Sequence, residues 1–133
     1  MLRIITFLFT LLIIAIAVTA SGNFWPELFQ LSHAIPMGDK VIHFLFLGTL
    51  SLLLNLNFGV PTFRFANRDW MKITWILIGI MFLEECSQMY FPHRSFSLGD
   101  MTANTLGIWL FGKWAQHIHG KWGKAKKSTT SQV

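Results

Sequence analysis

Polar side chains recur at helical spacing in three places in this otherwise apolar sequence. Three pairs of polar residues are each four apart, so that each pair shares one helix face: Asp39 with His43, Glu84 with Gln88, and Asp100 with Asn104. Glu85 lies three residues before Gln88, on nearly the same face. Two cations, Lys40 and Arg94, are close to these acids along the chain. Such a mixture of carboxylates, amides, an imidazole and cations can bind a charged or hydroxylated ligand.

The same residue types permit catalytic, metal-binding and structural interpretations. His43 or Glu85 can act as a general base, with Arg94 stabilising negative charge that develops during a reaction. The side chains suited to a divalent metal are His43, Asp39, Glu85, His93 and Asp100. Their spacing fits no compact metal motif, so the sequence predicts neither a metal site nor a cofactor. In the structural interpretation Asp39 and Asp100 cap helices, and Glu85 forms an ion pair with Arg94.

The amino-acid composition indicates whether water or lipid surrounds the helices that carry these residues. The chain has 133 residues, enough for one domain, and 53% of them are hydrophobic while 13% are charged. A soluble domain of this size needs more charge to cover its surface. The apolar residues come in long blocks, which predicts an all-α integral membrane protein. The net charge of +5 does not indicate nucleic-acid binding, because unequal charge on the two membrane sides explains it.

The apolar blocks predict a single membrane domain over residues 1–120, with about four transmembrane helices. The spans are expected at about residues 4–20, 41–60, 73–91 and 98–118. We expect a polar turn from Arg64 to Lys72 between the second and third spans, and a capping pair of Ser97 and Asp100 at the start of the fourth. The first block has a rival interpretation as a cleaved signal peptide, because Arg3 precedes it and Val18-Thr19-Ala20 resembles a cleavage site. Residues 121–133 are expected to form a basic, mobile tail that meets anionic headgroups.

The length of the third apolar block indicates how deep in the membrane its acidic residues lie. Its uncharged part, Ile73 to Leu83, has 11 residues. At about 1.5 Å per residue this covers only about 16 Å, half of a bilayer. We expect the helix to continue past Glu84, Glu85 and Gln88, because irregular backbone exposed to lipid has no hydrogen-bond partners. These side chains then lie below the membrane surface and need polar neighbours.

Charge sets the orientation expected for this bundle. Most cations fall on one side of the four-helix arrangement: Arg3, Arg64, Arg68, Lys72, Lys113, Lys121, Lys124, Lys126 and Lys127. Lys40 and Arg94 fall on the other side, together with most of the acidic residues. The positive-inside rule therefore predicts that both termini are cytoplasmic. The polar residues of the second to fourth helices are then at their extracytoplasmic ends.

These polar positions match the motifs of a known family. Asp39-Lys40-Val41-Ile42-His43 resembles the Asp-Lys-x-x-His signature of the VanZ-like family. The family's second block matches in Glu85-x-x-Gln88, Pro92-x-Arg94 and Asp100-x-x-x-Asn104-x-x-Gly107. The resemblance covers roughly residues 39–112. In one departure, the second small residue of the last helix is Gly112, whereas Phe111 stands at the family's position four after Gly107.

The resemblance implies a small, multi-pass protein of the bacterial cytoplasmic (inner) membrane. The founding member of the family is linked to resistance to the lipoglycopeptide teicoplanin, but the family brings no established reaction. From their charges, hydrogen-bonding groups and common depth, the residues expected to bind a ligand are Asp39, Lys40, His43, Glu85, Gln88, Arg94, Asp100 and Asn104.

Three functional hypotheses stay open at the level of sequence. The first is binding of an amphiphile, either a lipoglycopeptide or a cell-envelope lipid, in a polar pocket that is surrounded by membrane lipids. The second is an intramembrane enzyme acting on a lipid-linked envelope substrate, with His43, Glu85 and Arg94 as candidate catalytic residues. The third is a structural or partner-binding subunit in which the polar residues hold the helices together.

Overall fold

The computed structural model describes residues 1–21, 37–90 and 97–130, without the side chains of residues 20, 21, 39 and 124–130. The elements in this part of the chain are α1 (Leu2–Ser21), α2 (Gly38–Asn57), β1 (Thr62–Phe65), β2 (Arg68–Met71), α3 (Lys72–Gln88) and α4 (Leu98–Thr130). The protein is therefore mostly helical, as predicted, with four helices in the described residues.

Two of the described helices are long and apolar enough to cross a membrane, over Leu2–Thr19 and Lys40–Asn57. A helix of 18 residues spans about 27 Å, close to the thickness of the hydrocarbon core. α3 has 17 residues and ends at Gln88, slightly before the predicted end near residue 91. α4 continues to Thr130, past the predicted end near residue 118, so the first part of the predicted tail is helical. The count of four spans and the mobility of the tail stay predictions.

α2 and α4 lie parallel and form the most extensive helix–helix interface of the described residues. Near the starts of the two helices, Lys40 lies beside Asp100. Further along both helices, Gly48 lies against the ring of Phe111. Because equivalent turns of the two helices meet in the same order, their N-terminal ends are at the same end of the bundle.

Glycine allows α2 and α4 to approach closely. A Cβ atom on Gly107 would collide with the backbone carbonyl oxygen of Phe44, so only glycine leaves room for the facing backbone. Phe111 packs its ring on Gly48, where an added Cβ would lie 2.7 Å from that ring. The bulky residue that departs from the family pattern is thus accommodated by a glycine on the opposite helix.

A buried polar cluster joins α2 to the start of α3. The Asn55 side-chain amide donates hydrogen bonds to the backbone oxygen of Ser51 at 2.9 Å and to the Thr74 hydroxyl at 3.1 Å. Since Asn55 is late in α2 and Thr74 early in α3, these two helices run in opposite directions. Asn57 also donates to the Thr6 hydroxyl at 2.6 Å, so the start of α1 lies at this same end of the bundle.

A β-hairpin joins α2 to α3, where the sequence predicted a polar turn. Its strands pair antiparallel, with Arg64 opposite Asp69. Ala66 and Asn67 form the two-residue turn with φ angles of 49° and 59°. Left-handed conformation at both turn residues matches the twist of a tight hairpin, and asparagine adopts it more readily than most residues. The all-α prediction is therefore corrected by two short strands.

Candidate functional site

The start of α2, the end of α3 and the start of α4 lie at one end of the bundle. We call this the polar end and define it by Lys40, Glu85, Gln88, Asp100 and Asn104. The opposite end carries the β-hairpin, and we call it the basic end, defined by Arg64, Arg68 and Lys72. Because α2 and α4 run parallel and α3 runs opposite to them, polar residues of all three helices are at this end.

Glu85 and Gln88 belong to the packed face of α3. The buried residues of this helix, Thr74, Leu77, Glu85 and Gln88, fall within one face at 100° per residue. The Glu85 side chain is only 1% exposed and Gln88 is 4% exposed, and protein atoms alone provide this burial. The Gln88 amide donates to both carboxylate oxygens of Glu84, at 2.8 Å each. The end of α3 therefore has two carboxylates in different surroundings. That of Glu85 is buried in the protein interior, and that of Glu84 accepts hydrogen bonds from the Gln88 amide.

Ser97 begins α4 as the sequence predicted. The Ser97 hydroxyl oxygen accepts a hydrogen bond from the Asp100 backbone N–H at 3.3 Å, and its backbone oxygen accepts one from Met101 at 3.0 Å. The first of these bonds satisfies an N–H group that has no backbone partner within the helix, and the second is the first bond of the helical ladder. Asp100 is thereby held in the first turn of α4, where its carboxylate lies 3.2 Å from the Lys40 ammonium.

Asn104 lies one turn after Asp100 and lines a small cavity between α3 and α4. Its side chain is 1% exposed, and neither atom of its amide has a hydrogen-bond partner among the described residues. The cavity has a volume of about 50 Å³, enough for roughly one or two water-sized groups. The other residues that line it are Ile78, Met81, Phe82, Met101 and Thr105. Because buried polar groups are almost always paired, this amide is suited to a hydrogen-bonding group from outside the chain.

The ion pair between Lys40 and Asp100 should make a measurable but small contribution to stability. A double-mutant cycle with Lys40→Met and Asp100→Asn is expected to give a coupling of about 0.5–1 kcal/mol, because the pair is only partly buried. The coupling should decrease as salt is raised, since ions screen partly exposed charges. Unfolding of the purified protein in mixed micelles measures it. Strictly additive effects of the two substitutions would show that the pair does not stabilise the fold.

Some predicted site residues lie outside the described structure. Arg94 and His93 are in the undescribed segment 91–96, and the side chain of Asp39 is not described. Asp39 is in the first turn of α2, one turn before the half-buried His43. The pairing of Glu85 with Arg94 and the catalytic roles considered for these residues therefore stay predictions. Within residues 1–21, 37–90 and 97–130, no group of three His, Cys, Asp or Glu side chains could hold a metal ion.

Sequence reasoning did not single out the apolar walls of the cavity. Met81 lies four residues before Glu85, and Ile78 lies seven before it, so both share the packed face of α3. Helical periodicity counted back from Glu85 therefore points to them. Met101 and Thr105 likewise flank Asn104 on α4, but nothing local in the sequence reveals that the two helices leave a cavity between them.

The helices and the polar end define a class: a small, mostly helical membrane protein that buries ionisable and amide side chains at one end of its bundle. The VanZ/LLP1 family model matches residues 3–112, and the chain therefore belongs to the VanZ/LLP1 family. This confirms the resemblance inferred from the polar motifs, and the matched region also includes α1. No curated protein and no solved structure matches the chain.

Proposed function

We propose that this protein crosses the bacterial cytoplasmic membrane four times and binds an amphiphilic cell-envelope ligand at its polar end. The ligand is a lipoglycopeptide such as teicoplanin or an envelope lipid, and binding protects the cell from such drugs. The observation that carries the proposal is the buried Asn104 amide, which lines a cavity and has no hydrogen-bond partner among the described residues. A buried amide without hydrogen-bond partners lowers the stability of the fold unless a ligand or water supplies those partners.

The charge at the two ends supports an extracytoplasmic position for the polar end. Arg64, Arg68 and Lys72 lie in or beside the hairpin of the basic end. Arg3 is at the same end of the bundle, because Asn57 at the end of α2 donates a hydrogen bond to Thr6 near the start of α1. Cytoplasmic segments of membrane proteins are enriched in such cations. In this orientation the basic end faces the cytoplasm and the polar end opens toward the outer leaflet.

The surroundings of Asn104 favour an amphiphile that approaches from the lipid. Phe82 lines the cavity and is itself exposed on the bundle surface, as is Leu106 on the facing helix. The cavity is too small for a whole amphiphile but accepts a single hydroxyl, ester or amide group. The apolar chain of the ligand would then lie along the exposed surface of α3 and α4, while one polar group reaches Asn104.

The charged groups of the polar end suit the head of such a ligand. Ionisable residues inside a membrane are costly and usually mark functional sites. Lys40 and Asp100 present one charge of each sign near the membrane surface, and Glu85 adds a buried carboxylate. A ligand head with both amine and carboxylate or phosphate groups, or with many hydroxyls, complements this set.

Drug susceptibility tests the protective role. Expression of the wild-type protein in a teicoplanin-sensitive bacterium should raise the inhibitory concentration, whereas Glu85→Gln and Asn104→Leu should abolish that increase. Thr102→Val is the matched control, because the exposed Thr102 hydroxyl bonds only the Leu98 carbonyl of its own helix at 2.7 Å. Membrane levels of all four proteins are compared by immunoblot. Equal protection by the wild type and both site variants would show that the polar end is not responsible for resistance.

A further inference from the structure

The two faces of the β-hairpin have different compositions. Side chains alternate between faces along a strand, and residues opposite each other across the strands share a face. One face carries Phe63, Trp70, Phe65 and Arg68, since Phe63 pairs with Trp70 and Phe65 with Arg68. The other face carries the pairs Thr62 with Met71 and Arg64 with Asp69. We call the first of these the aromatic face.

The bundle leaves the two phenylalanines of the aromatic face uncovered. Met71, on the opposite face, is buried and packs with Val60 and Ala115. By contrast, Phe65 is 68% exposed and Phe63 is 39% exposed. An exposed group of large aromatic side chains is unusual on a surface that faces water and indicates contact with another apolar phase or molecule.

The aromatic surface continues from the hairpin onto α3. The Trp70 ring packs edge-on against Trp75, with ring centroids 5.4 Å apart. The Trp70 ring nitrogen also donates a hydrogen bond to the Phe65 carbonyl at 3.1 Å, which fixes the indole over the hairpin. Trp70 is partly exposed and Trp75 is exposed. Tryptophan that has a satisfied N–H and an accessible ring is typical of membrane–water interfaces.

The hairpin is held close to the end of α2 and to the start of α3. β1 begins at Thr62, five residues after α2 ends at Asn57, and α2 is one of the helices long and apolar enough to cross a membrane. The Lys72 backbone N–H donates to the Pro61 carbonyl at 2.9 Å, which closes the base of the hairpin against the start of α3. With α2 crossing the membrane as proposed above, the aromatic face lies within reach of the lipid headgroups.

Charge identifies the kind of headgroup. Arg64 is opposite the acidic Asp69 across the strands, whereas Arg68 on the aromatic face is opposite the uncharged Phe65. Lys72 follows directly after β2. An arginine set among interfacial aromatic rings suits an anionic phosphate group, because its guanidinium can donate two hydrogen bonds to one phosphate.

We propose that the aromatic face of the hairpin inserts into the headgroup layer of the membrane and that Arg68 binds the phosphate of an anionic phospholipid there. The hairpin is thus a lipid-binding surface at the basic end, separate from the ligand site at the polar end. It anchors the connection between α2 and α3 at a fixed depth, and it depends on no ligand at the polar end.

Fluorescence quenching in nanodiscs tests the insertion. Phe65→Cys, in a full-length Cys86→Ser background, is labelled with an environment-sensitive fluorophore. Asp69→Cys on the opposite face of the same hairpin is the matched control, and Phe63→Cys repeats the measurement with Phe65 intact. Labels at positions 63 and 65 should be quenched strongly by nitroxide on lipid headgroups and weakly by iodide in water, with the reverse at position 69. Strong iodide quenching at all three positions would overturn the proposal.

Two further comparisons test the partner. Headgroup quenching at position 65 should be stronger in nanodiscs containing phosphatidylglycerol than in pure phosphatidylcholine, and Arg68→Gln should remove this difference. Equal quenching in both lipids with Arg68 present would contradict binding of anionic lipid. Protection of position 65 from both lipid and aqueous quenchers would show that protein, such as a second copy of this chain, covers the aromatic face instead.

Discussion

Replacing Gly107 with alanine should destabilise the bundle by about 2 kcal/mol, even though alanine is the better helix former. The added Cβ would collide with the backbone carbonyl oxygen of Phe44, and a backbone atom cannot move aside as a flexible side chain can. α2 and α4 would have to separate along their parallel interface. The loss should appear as a lower midpoint of unfolding when the purified protein is titrated with denaturing detergent.

Gly120→Ala on the same helix is the control for this substitution. A Cβ at Gly120 would meet nothing within 4 Å, so alanine there should leave the unfolding midpoint unchanged or raise it slightly. Equal effects of the two alanine substitutions would show that the close approach of α4 to Phe44 does not determine stability.

Replacing Asn104 with leucine should separate stability from function. The Asn104 amide makes no hydrogen bond among the described residues, so a leucine of similar size leaves no described partner unsatisfied. Removing an unpaired buried amide should leave the free energy of unfolding unchanged or raise it by about 1–2 kcal/mol. The same substitution should abolish ligand binding, because the leucine cannot hydrogen-bond a group in the cavity. Unfolding and binding are measured on the same preparation.

Asn55→Leu provides the contrasting case. Asn55 is equally buried, but its amide donates hydrogen bonds to Ser51 and Thr74. Leucine there leaves buried partners unsatisfied and should cost about 1–3 kcal/mol. A comparable loss of stability from Asn104→Leu would mean that Asn104 holds the helices together, which is the structural hypothesis for the polar end.

The helices could be predicted from the sequence because the signals that specify them are local. Long apolar blocks predict transmembrane helices. The Ser97 cap is recognisable because its hydrogen bonds lie within one helical turn. Continuation of α3 through Glu85 followed from the length that a bilayer requires. The motif positions indicated the family, which the VanZ/LLP1 match confirms.

The hairpin was missed because its strands are only four residues each. The alternating Phe63-Arg64-Phe65 and the Asn67 turn position are hairpin signals, but cations and an acid around them favoured the interpretation as a polar turn. A short run of alternation also cannot be distinguished from irregular structure by periodicity alone.

Details of the site depend on contacts between distant parts of the chain. That Lys40 pairs with Asp100, 60 positions later in the sequence, follows only from the register of α2 against α4. The same register sets the ring of Phe111 on Gly48. The cavity at Asn104 is a gap between packed surfaces, and residue types alone do not predict a gap.

Native mass spectrometry of the protein extracted from bacterial membranes in mild detergent tests the central claim most directly. If the polar end binds an amphiphile through Asn104, the wild type and the Thr102→Val control should retain a bound amphiphile of defined mass. The Asn104→Leu variant, folded and no less stable, should lose it. The same bound mass on wild type and Asn104→Leu, or none on the wild type, would contradict the proposed site.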